Sequence, residues 1–222
     1  MKKMLLSSAL FVGVFTFAQN SQIRFGIKAG LNVSRISNTE TIDESPRNAL
    51  HAGVFGNFPF AEKFSFQPEL LYSTYGEKEK SSDVYAADDI NVKSFSNYSI
   101  KLDYITIPLM FQYNMLPNLY VEAGPEVGIL FSERVRGTSE IITTSGNSTS
   151  TSTEDFKSPV ERKNFQGVNL GFGVGAGYYI TPKFGINARY VAGLSDVMKQ
   201  NPLHHSNAIK NNVFQFGVMY KF

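Results

Sequence analysis

The stretch that decides the fold is VNLGFGVGAGY, residues 168–178, in which every second residue is apolar and nearly every intervening one is glycine. A period of two places the apolar side chains on one face of a β-strand and the glycines on the other. The same alternation runs through residues 23–33, where Arg24 and Lys28 share the less apolar face with glycines. The sequence therefore predicts strands that each have one continuous apolar face.

Eight segments follow this pattern, and their connections alternate in length. The segments are 23–33, 50–60, 64–72, 100–113, 119–131, 168–178, 184–190 and 214–222. The short connections are 61–63, 114–118 and 181–183, and the long polar ones are 34–49, 76–98, 132–163 and 191–211. Short turns on one rim and long loops on the other are typical of outer-membrane barrels. We predict an all-β fold, an eight-stranded antiparallel up-and-down transmembrane β-barrel.

The N-terminus has a different character from the rest of the chain. Two lysines at positions 2 and 3 precede an apolar run over 4–17, which ends at the small residue Ala18. This order is that of a secretory signal peptide, and the run is too short to cross a bilayer comfortably as a helix. We predict a signal peptide at 1–18 and a barrel domain at 19–222, located in the outer membrane of a Gram-negative-type envelope.

Composition narrows the classes of function. The net charge is +2 and no basic stripe is interleaved with aromatics, so nucleic acid is not an expected partner. The chain has no cysteine, which excludes disulfides and thiolate metal sites. Aromatic residues make up 14% of the chain while the mean hydropathy is only −0.15, which favours strands over long apolar helices.

The less apolar face carries charged side chains among its glycines. An eight-stranded barrel has an interior that side chains can fill. Buried cations and carboxylates need partners, which opposite charges across a lumen would provide. The predicted lumen charge network consists of Arg24, Lys28, Glu69, Glu122, Glu126, Arg189 and Lys221.

Aromatic residues cluster near both ends of the apolar faces, which predicts two lipid-interface girdles. The set near the short turns is Phe58, Phe60, Phe64, Phe66, Tyr113, Tyr120, Tyr178 and Phe184. The set near the long loops is Tyr72, Tyr75, Tyr104, Phe131, Phe165 and Tyr190. The last strand ends in Phe222, preceded at alternate positions by Tyr220 and Val218, and we interpret this ending as a signal for barrel assembly.

No arrangement of residues predicts catalysis, a metal site or a cofactor. His51, His204 and His205 fall at or within long loops and are expected to be solvated there. Glu122 and Glu126 point the same way on one strand, but cations on the same face make them ion-pair partners rather than a hydrolase pair. The Ser- and Thr-rich part of the third long loop, within 137–153, is expected to be too polar to order itself.

Several strings resemble a known family. QPELLYS at 67–73, YITIPL at 104–109, GFGVGAG at 171–177 and RYVAGL at 189–194, together with the terminal Phe222, are similar to the outer-membrane β-barrel proteins of Bacteroidetes, often labelled porin-family or PorT-like. The resemblance covers essentially the whole mature chain and implies the barrel fold. PorT-like proteins are linked to a secretion system, but no functional motif here carries that role over.

The sequence thus favours a small outer-membrane barrel with a plugged lumen and a structural or surface-interaction role in its long extracellular loops, and not an enzyme. The alternatives are a narrow channel for small solutes or ions and an accessory barrel of a secretion system. The expected partners are outer-membrane lipid and the barrel-assembly machinery, with an unknown extracellular ligand or protein.

Overall fold

A computed structural model describes residues 23–37, 44–87, 90–145, 148–158, 165–198 and 209–222. The chain forms nine antiparallel strands in this range. They are β1 Arg24–Ser37, β2 Glu44–Pro59, β3 Phe64–Ala87, β4 Ile90–Leu116, β5 Leu119–Ser145, β6 Ser148–Ser158, β7 Val168–Tyr179, β8 Phe184–Gly193 and β9 Lys210–Lys221. No helix in the described ranges is long and apolar enough to cross a membrane.

Eight of the strands close into a barrel. Their order is β4-β3-β2-β1-β9-β8-β7-β5, and β4 also pairs with β5, which completes the ring. Closure pairs the strands on both sides and leaves no sheet edge in the wall. The predicted eight-stranded antiparallel barrel is confirmed. The predicted signal peptide at 1–18 lies outside the described residues.

The two faces of the wall have the predicted polarity. Phe172 and Val174 point outward, with 44% and 48% of their surface exposed, while Glu122 and Arg189 point inward and are buried. Glycines on the inner face make room for long side chains: a Cβ atom on Gly173 would lie 3.3 Å from Cδ of Arg189. The apolar face therefore faces lipid, and the glycine face surrounds the charges.

The structure corrects the prediction of long patternless loops at 76–98 and 132–163. β3 and β4 remain paired out to Ala87↔Ile90, and β4 and β5 remain paired out to Ile90↔Ser145. At about 3.3 Å per residue, β3 continues for about 50 Å along its axis beyond Tyr72. Both faces of these extensions meet water, so they carry no apolar alternation that would identify them as strands.

The extensions form a projecting sheet of β3, β4, β5 and β6. β6 was not predicted, and it pairs with the outer half of β5 from Val135↔Ser158 to Ser145↔Ser148. The prediction that the Ser- and Thr-rich run could not order itself was wrong. Threonine is β-branched and favours strands, and the backbone of this run is paired with a strand already anchored in the barrel.

The lumen as candidate functional site

Four buried charges meet at the centre of the lumen. Arg189 of β8 reaches Glu69 of β3 with two hydrogen bonds of 2.8 and 3.0 Å, and its Nε donates to Oε1 of Glu122 on β5 at 2.8 Å. Lys28 of β1 approaches the other side of Glu69, with Nζ 3.2 Å from Oε2. Side chains from four separate strands therefore join across the barrel.

These four side chains, Lys28, Glu69, Glu122 and Arg189, are named the ion cluster here. All four have no solvent-exposed side-chain surface, and the two cations balance the two carboxylates. Burying a charge is costly unless an opposite charge and hydrogen bonds compensate it. The guanidinium group of Arg189 supplies a positive charge and hydrogen bonds to two carboxylates at once.

A frame of amide side chains surrounds the ion cluster on the short-turn side. Gln67 donates to Glu69 Oε1 at 2.9 Å, and Gln112 donates to Glu122 Oε2 at 3.0 Å. The amide nitrogen of Asn57 donates to the side-chain oxygens of both glutamines, at 3.2 and 2.9 Å. Each carboxylate is thus held by an amide as well as by a cation, which fixes its orientation.

Glu126 lies in the lumen but outside the ion cluster. The hydroxyl of Tyr75 donates to its Oε1 at 2.7 Å, and Gln215 Nε2 lies 3.5 Å from that hydroxyl. Its second oxygen, Oε2, has no hydrogen-bond partner among the described residues. Glu126 therefore belongs to a polar network with Tyr75 rather than to the predicted ion pairs.

The sequence predicts Arg24 and Lys221 in the lumen charge network, but in the structure neither contacts its carboxylates. Arg24 is exposed at the short-turn rim. The ammonium of Lys221 lies 3.4 Å from the centre of the Tyr179 ring, which is a cation–π contact. Neither makes an ion pair within the described ranges, because both lie where the strands end, away from Glu69 and Glu122.

Apolar layers cover the ion cluster on both sides. On the short-turn side Phe55, Tyr120 and Met219 pack together with Tyr179. On the long-loop side a larger cluster fills the mouth of the barrel, and Phe165 there forms a β-bridge with Met198. The members of this larger cluster are Ile36, Tyr75, Leu102, Tyr104, Leu130, Phe165, Val191, Val197 and Val213.

Four aromatics predicted as girdle residues belong instead to these inner layers. Tyr120 lies on the short-turn side, and Tyr75, Tyr104 and Phe165 lie in the mouth, each no more than 2% exposed. Tyr75, Tyr104 and Tyr120 occupy inward positions of their strands, so they point away from lipid. Outward aromatics do pair along the wall, as Tyr72 with Phe131 and Tyr190 with Phe214.

The prediction that His51 is a solvated loop residue was also wrong. It lies on β2, faces the lumen and is 1% exposed. The side-chain N–H of Asn32 donates to the carbonyl oxygen of Thr74. Oδ1 of Asn32 therefore accepts from Nδ1 of His51 at 2.8 Å. His204 and His205 lie outside the described residues. No group of three or more His, Cys, Asp or Glu side chains in the described ranges could hold a metal ion.

The three residues of the predicted assembly signal lie on the lipid-facing side at the end of β9. Val218, Tyr220 and Phe222 are 46%, 39% and 70% exposed. The backbone N–H of Phe222 donates to the carbonyl of Phe25 at 3.0 Å, which joins the last residue to β1. Recognition of this ending by assembly machinery stays a prediction.

Sequence reasoning assigned no role to Gln67 and Gln112, which support the ion cluster, and placed Tyr75, the partner of Glu126, in the aromatic girdle. Gln67 and Gln112 occupy the same strand faces as Glu69 and the other inward side chains, and Tyr75 lies on that face of β3 as well. The period of two would have identified all three. Their partners could not be found in this way, because the partner strand across a lumen depends on the stagger of the barrel.

A closed ring of strands with an outward apolar face and an inward charged one defines an integral outer-membrane β-barrel. Residues 17–199 match the family described as outer membrane protein beta-barrel domain, and the chain belongs to that family. The protein is therefore an outer membrane protein, as the sequence predicted. It has no match among curated proteins.

Solved structures similar to this chain include three barrels. The attachment invasion locus protein Ail of Yersinia pestis is 11% identical over 90% of this chain and 98% of that one, with a TM-score of 0.42. Neisserial surface protein A is 14% identical over 89% and 97%, with a TM-score of 0.42. OprG from Pseudomonas aeruginosa is 12% identical over 90% and 94%, with a TM-score of 0.36.

Proposed function

We propose that this protein is a plugged outer-membrane barrel that holds an extracellular β-sheet for surface interactions, with no transport through its lumen. The observation that carries the proposal is the ion cluster, in which Arg189 bridges Glu69 and Glu122 across the barrel axis. An ion entering the lumen would have to separate these charges and leave at least one of them unpaired. That separation is costly in a dry interior.

The apolar layers add two further barriers. The layer at the mouth includes Leu102 and Tyr104, neither of which has any exposed surface. An ion or polar solute would have to cross this layer without hydrogen-bonding partners before it reached the charges. The plug is therefore a stack of apolar, ionic and apolar layers.

The projecting sheet is the surface offered for interaction. It carries large apolar side chains in a region well above the membrane, among them Val84, Tyr85, Phe95 and Ile141, which are 64%, 67%, 39% and 42% exposed. Strand register makes Tyr85 a cross-strand neighbour of Val92, and contiguous exposed apolar patches mark contact sites. Three of its strands, β3, β4 and β5, continue from the barrel wall, and β6 is paired with β5, which keeps this surface ordered.

A catalytic role for the paired carboxylates is not part of the proposal. Glu122 is bonded to Arg189 and Gln112, and Glu126 is bonded to Tyr75. Both are at most 4% exposed. A carboxylate acting on a substrate would need access and a free oxygen near it, and the buried position of Glu126 Oε2 provides no access.

Thiol labelling on intact cells tests the plug, because the chain contains no cysteine of its own. Ser73 faces the lumen with no exposed surface, whereas Ser150 lies exposed on β6. A membrane-impermeant maleimide should label a Ser150→Cys variant quickly. A Ser73→Cys variant should stay unlabelled until the barrel is unfolded.

The labelling rates of the two cysteine variants can also contradict the plug. Labelling of Ser73→Cys in the folded barrel, at a rate close to that of Ser150→Cys, would mean that the mouth is open and would favour the channel.

The interaction surface is tested separately by replacing residues 79–97 with a short turn. The shortened barrel should still fold, while attachment of intact expressing cells to other cells or to surfaces should fall.

A narrow channel is the second candidate, and one observation favours it. Several buried polar atoms around the ion cluster have no partner among the described residues, namely His51 Nε2, both side-chain polar atoms of Asn187, and Gln215 Oε1. Such groups are normally satisfied by internal water. An accessory role in secretion rests only on the PorT-like resemblance and remains a third possibility to test genetically.

A further inference from the structure

The outward face of β3, β4 and β5 changes from apolar to basic just above the lipid-facing aromatics. Tyr72 and Phe131 mark the upper end of the apolar wall here, with ring centroids 5.8 Å apart. Tyr72 pairs with Ile105 on β4, which is also an outward position. Aromatic pairs at this place in a barrel mark the boundary between hydrocarbon and headgroups.

Strand register places five cations in the next outward rows. Two residues above Tyr72 come Thr74, Asp103 and Ser132, and the three rows above that carry the positive charges. These three rows are Gly76–Lys101–Arg134, Lys78–Ser99–Arg136 and Lys80–Asn97–Thr138. We name Lys78, Lys80, Lys101, Arg134 and Arg136 the basic band.

Cations outnumber carboxylates on the described outward face around the basic band. Lys101 and Arg134 are directly opposite each other on neighbouring strands, an arrangement that destabilises a sheet unless an anion lies nearby. Within the described parts of β3, β4 and β5, these rows and the row below contain one carboxylate, Asp103, while the uppermost row continues onto β6 with Asp155, which accepts a hydrogen bond from Thr138 at 2.8 Å. Asp103 already accepts hydrogen bonds from Thr74 at 2.6 Å and Tyr72 at 2.9 Å, and lies 3.2 Å from Lys101.

Arg47 of β2 extends the basic band sideways. Its guanidinium donates to Ser99 Oγ at 2.6 Å and to the carbonyl oxygen of Ile100 at 3.3 Å. Gly76 allows this approach: its φ of 137° is unfavourable for other residues, and a Cβ atom there would lie 3.2 Å from Cδ of Arg47 and would collide with the carbonyl oxygen of Ile100. Backbone geometry thus brings a sixth cation to the same surface.

The height of the basic band fits the headgroup layer. The Lys101–Arg134 row is four residues above Tyr72 and the Arg136 row is six above it. With a rise of about 3.3 Å per residue and a strand tilt of about 40°, these rows lie about 10 and 15 Å above the aromatic boundary. Long Lys and Arg side chains can reach back towards the membrane by several ångströms.

We propose that the basic band binds the phosphate groups of a phosphorylated glycolipid in the outer leaflet. Its headgroup would lie against β3, β4 and β5, with phosphates between Lys101, Arg134 and Arg136 and acyl chains against the apolar wall below. Guanidinium groups suit this role because they bind phosphate oxygens with two parallel hydrogen bonds. The site is separate from the lumen, so it stands whether or not the barrel conducts.

Native mass spectrometry of the folded, full-length protein tests this site. The protein in non-ionic detergent is titrated with a bisphosphorylated disaccharide lipid, and the lipid-bound fraction is measured. The variant is Arg134→Gln with Arg136→Gln, both exposed in the folded barrel. The matched control is Lys63→Gln with Lys93→Gln, which removes the same charge at the opposite rim and high on the projecting sheet.

The variant should bind the lipid about 30-fold more weakly, since each basic residue near an anionic surface contributes about fivefold. The control should stay within about twofold of the unmutated protein. The dephosphorylated lipid should bind the unmutated protein as weakly as the variant does, and millimolar inorganic phosphate should compete poorly if the acyl chains contribute.

Three results would overturn the proposal. Equal losses in variant and control would mean a general charge effect, and no loss in either would mean that the lipid binds elsewhere. Full competition by inorganic phosphate alone would show an ion site rather than a lipid site. A heat-dependent gel shift verifies that each variant is folded, and Lys101→Gln provides a second variant within the basic band.

Discussion

Replacing Arg189 with methionine is the perturbation that most affects the ion cluster. The change removes three hydrogen bonds of 2.8 to 3.0 Å to two buried carboxylates. Glu69 would keep Lys28 and Gln67, but Glu122 would keep only Gln112. Breaking a buried pair by removing one partner costs about 3–5 kcal/mol, and we expect Arg189→Met to lie near the upper end because Glu122 loses its only cation and Glu69 loses one of two.

The assay is urea unfolding of the barrel at pH 7 in detergent or lipid vesicles. The chain has no tryptophan, so far-UV circular dichroism and the gel shift of unheated samples report the folded fraction. A double variant, Arg189→Met with Glu122→Gln, provides the control: it removes charge from both partners and should be less unstable than the sum of the single changes. If the free energy of unfolding of Arg189→Met is within about 1 kcal/mol of that of the unmutated protein, the ion cluster is hydrated and the proposed plug is contradicted.

Three further predictions concern the stability of variants in the barrel wall and at its short-turn rim. Val174→Arg places a cation in lipid and should cost about 2–4 kcal/mol near the midplane, measured by the same unfolding assay, with Val174→Leu as a neutral control. Gly30→Ala should lower stability because its Cβ atom would collide with the carbonyl oxygen of Phe216, whereas Gly167→Ala should be neutral because nothing lies within 4 Å. Lys221→Met removes only a cation–π contact and should cost about 1 kcal/mol or less; a loss as large as that of Arg189→Met would contradict its placement outside the ion cluster.

The barrel itself could be predicted because lipid and lumen impose opposite demands on alternate residues. In β7 each outward position is apolar and most inward ones are glycine, so a single stretch shows both faces. The same alternation identified Glu69, Glu122 and Arg189 as inward. It also assigns Tyr75, Tyr104 and Tyr120 to the inner face. Their prediction as girdle residues considers only how near they lie to the strand ends and not which face of the strand they occupy.

Other features could not be predicted, for physical reasons. The projecting sheet has water on both faces, so no alternation distinguishes the run around Thr149 from a disordered loop; its order comes from pairing with β5. The contact between Arg189 and Glu69 joins β8 to β3, and strand stagger rather than sequence spacing decides which inward residues meet. Arg24 and Lys221 were assigned to the network by face alone, and their height at the rim separates them from it.

Conductance of the purified barrel in a planar bilayer tests the central claim most directly. Protein that has passed the gel-shift test of folding should give no steady current, only brief openings, if the ion cluster and two apolar layers close the lumen as proposed. A steady, ion-selective current from the unmutated protein, with selectivity that changes in Glu122→Gln and little loss of stability, would contradict the plug and establish a channel.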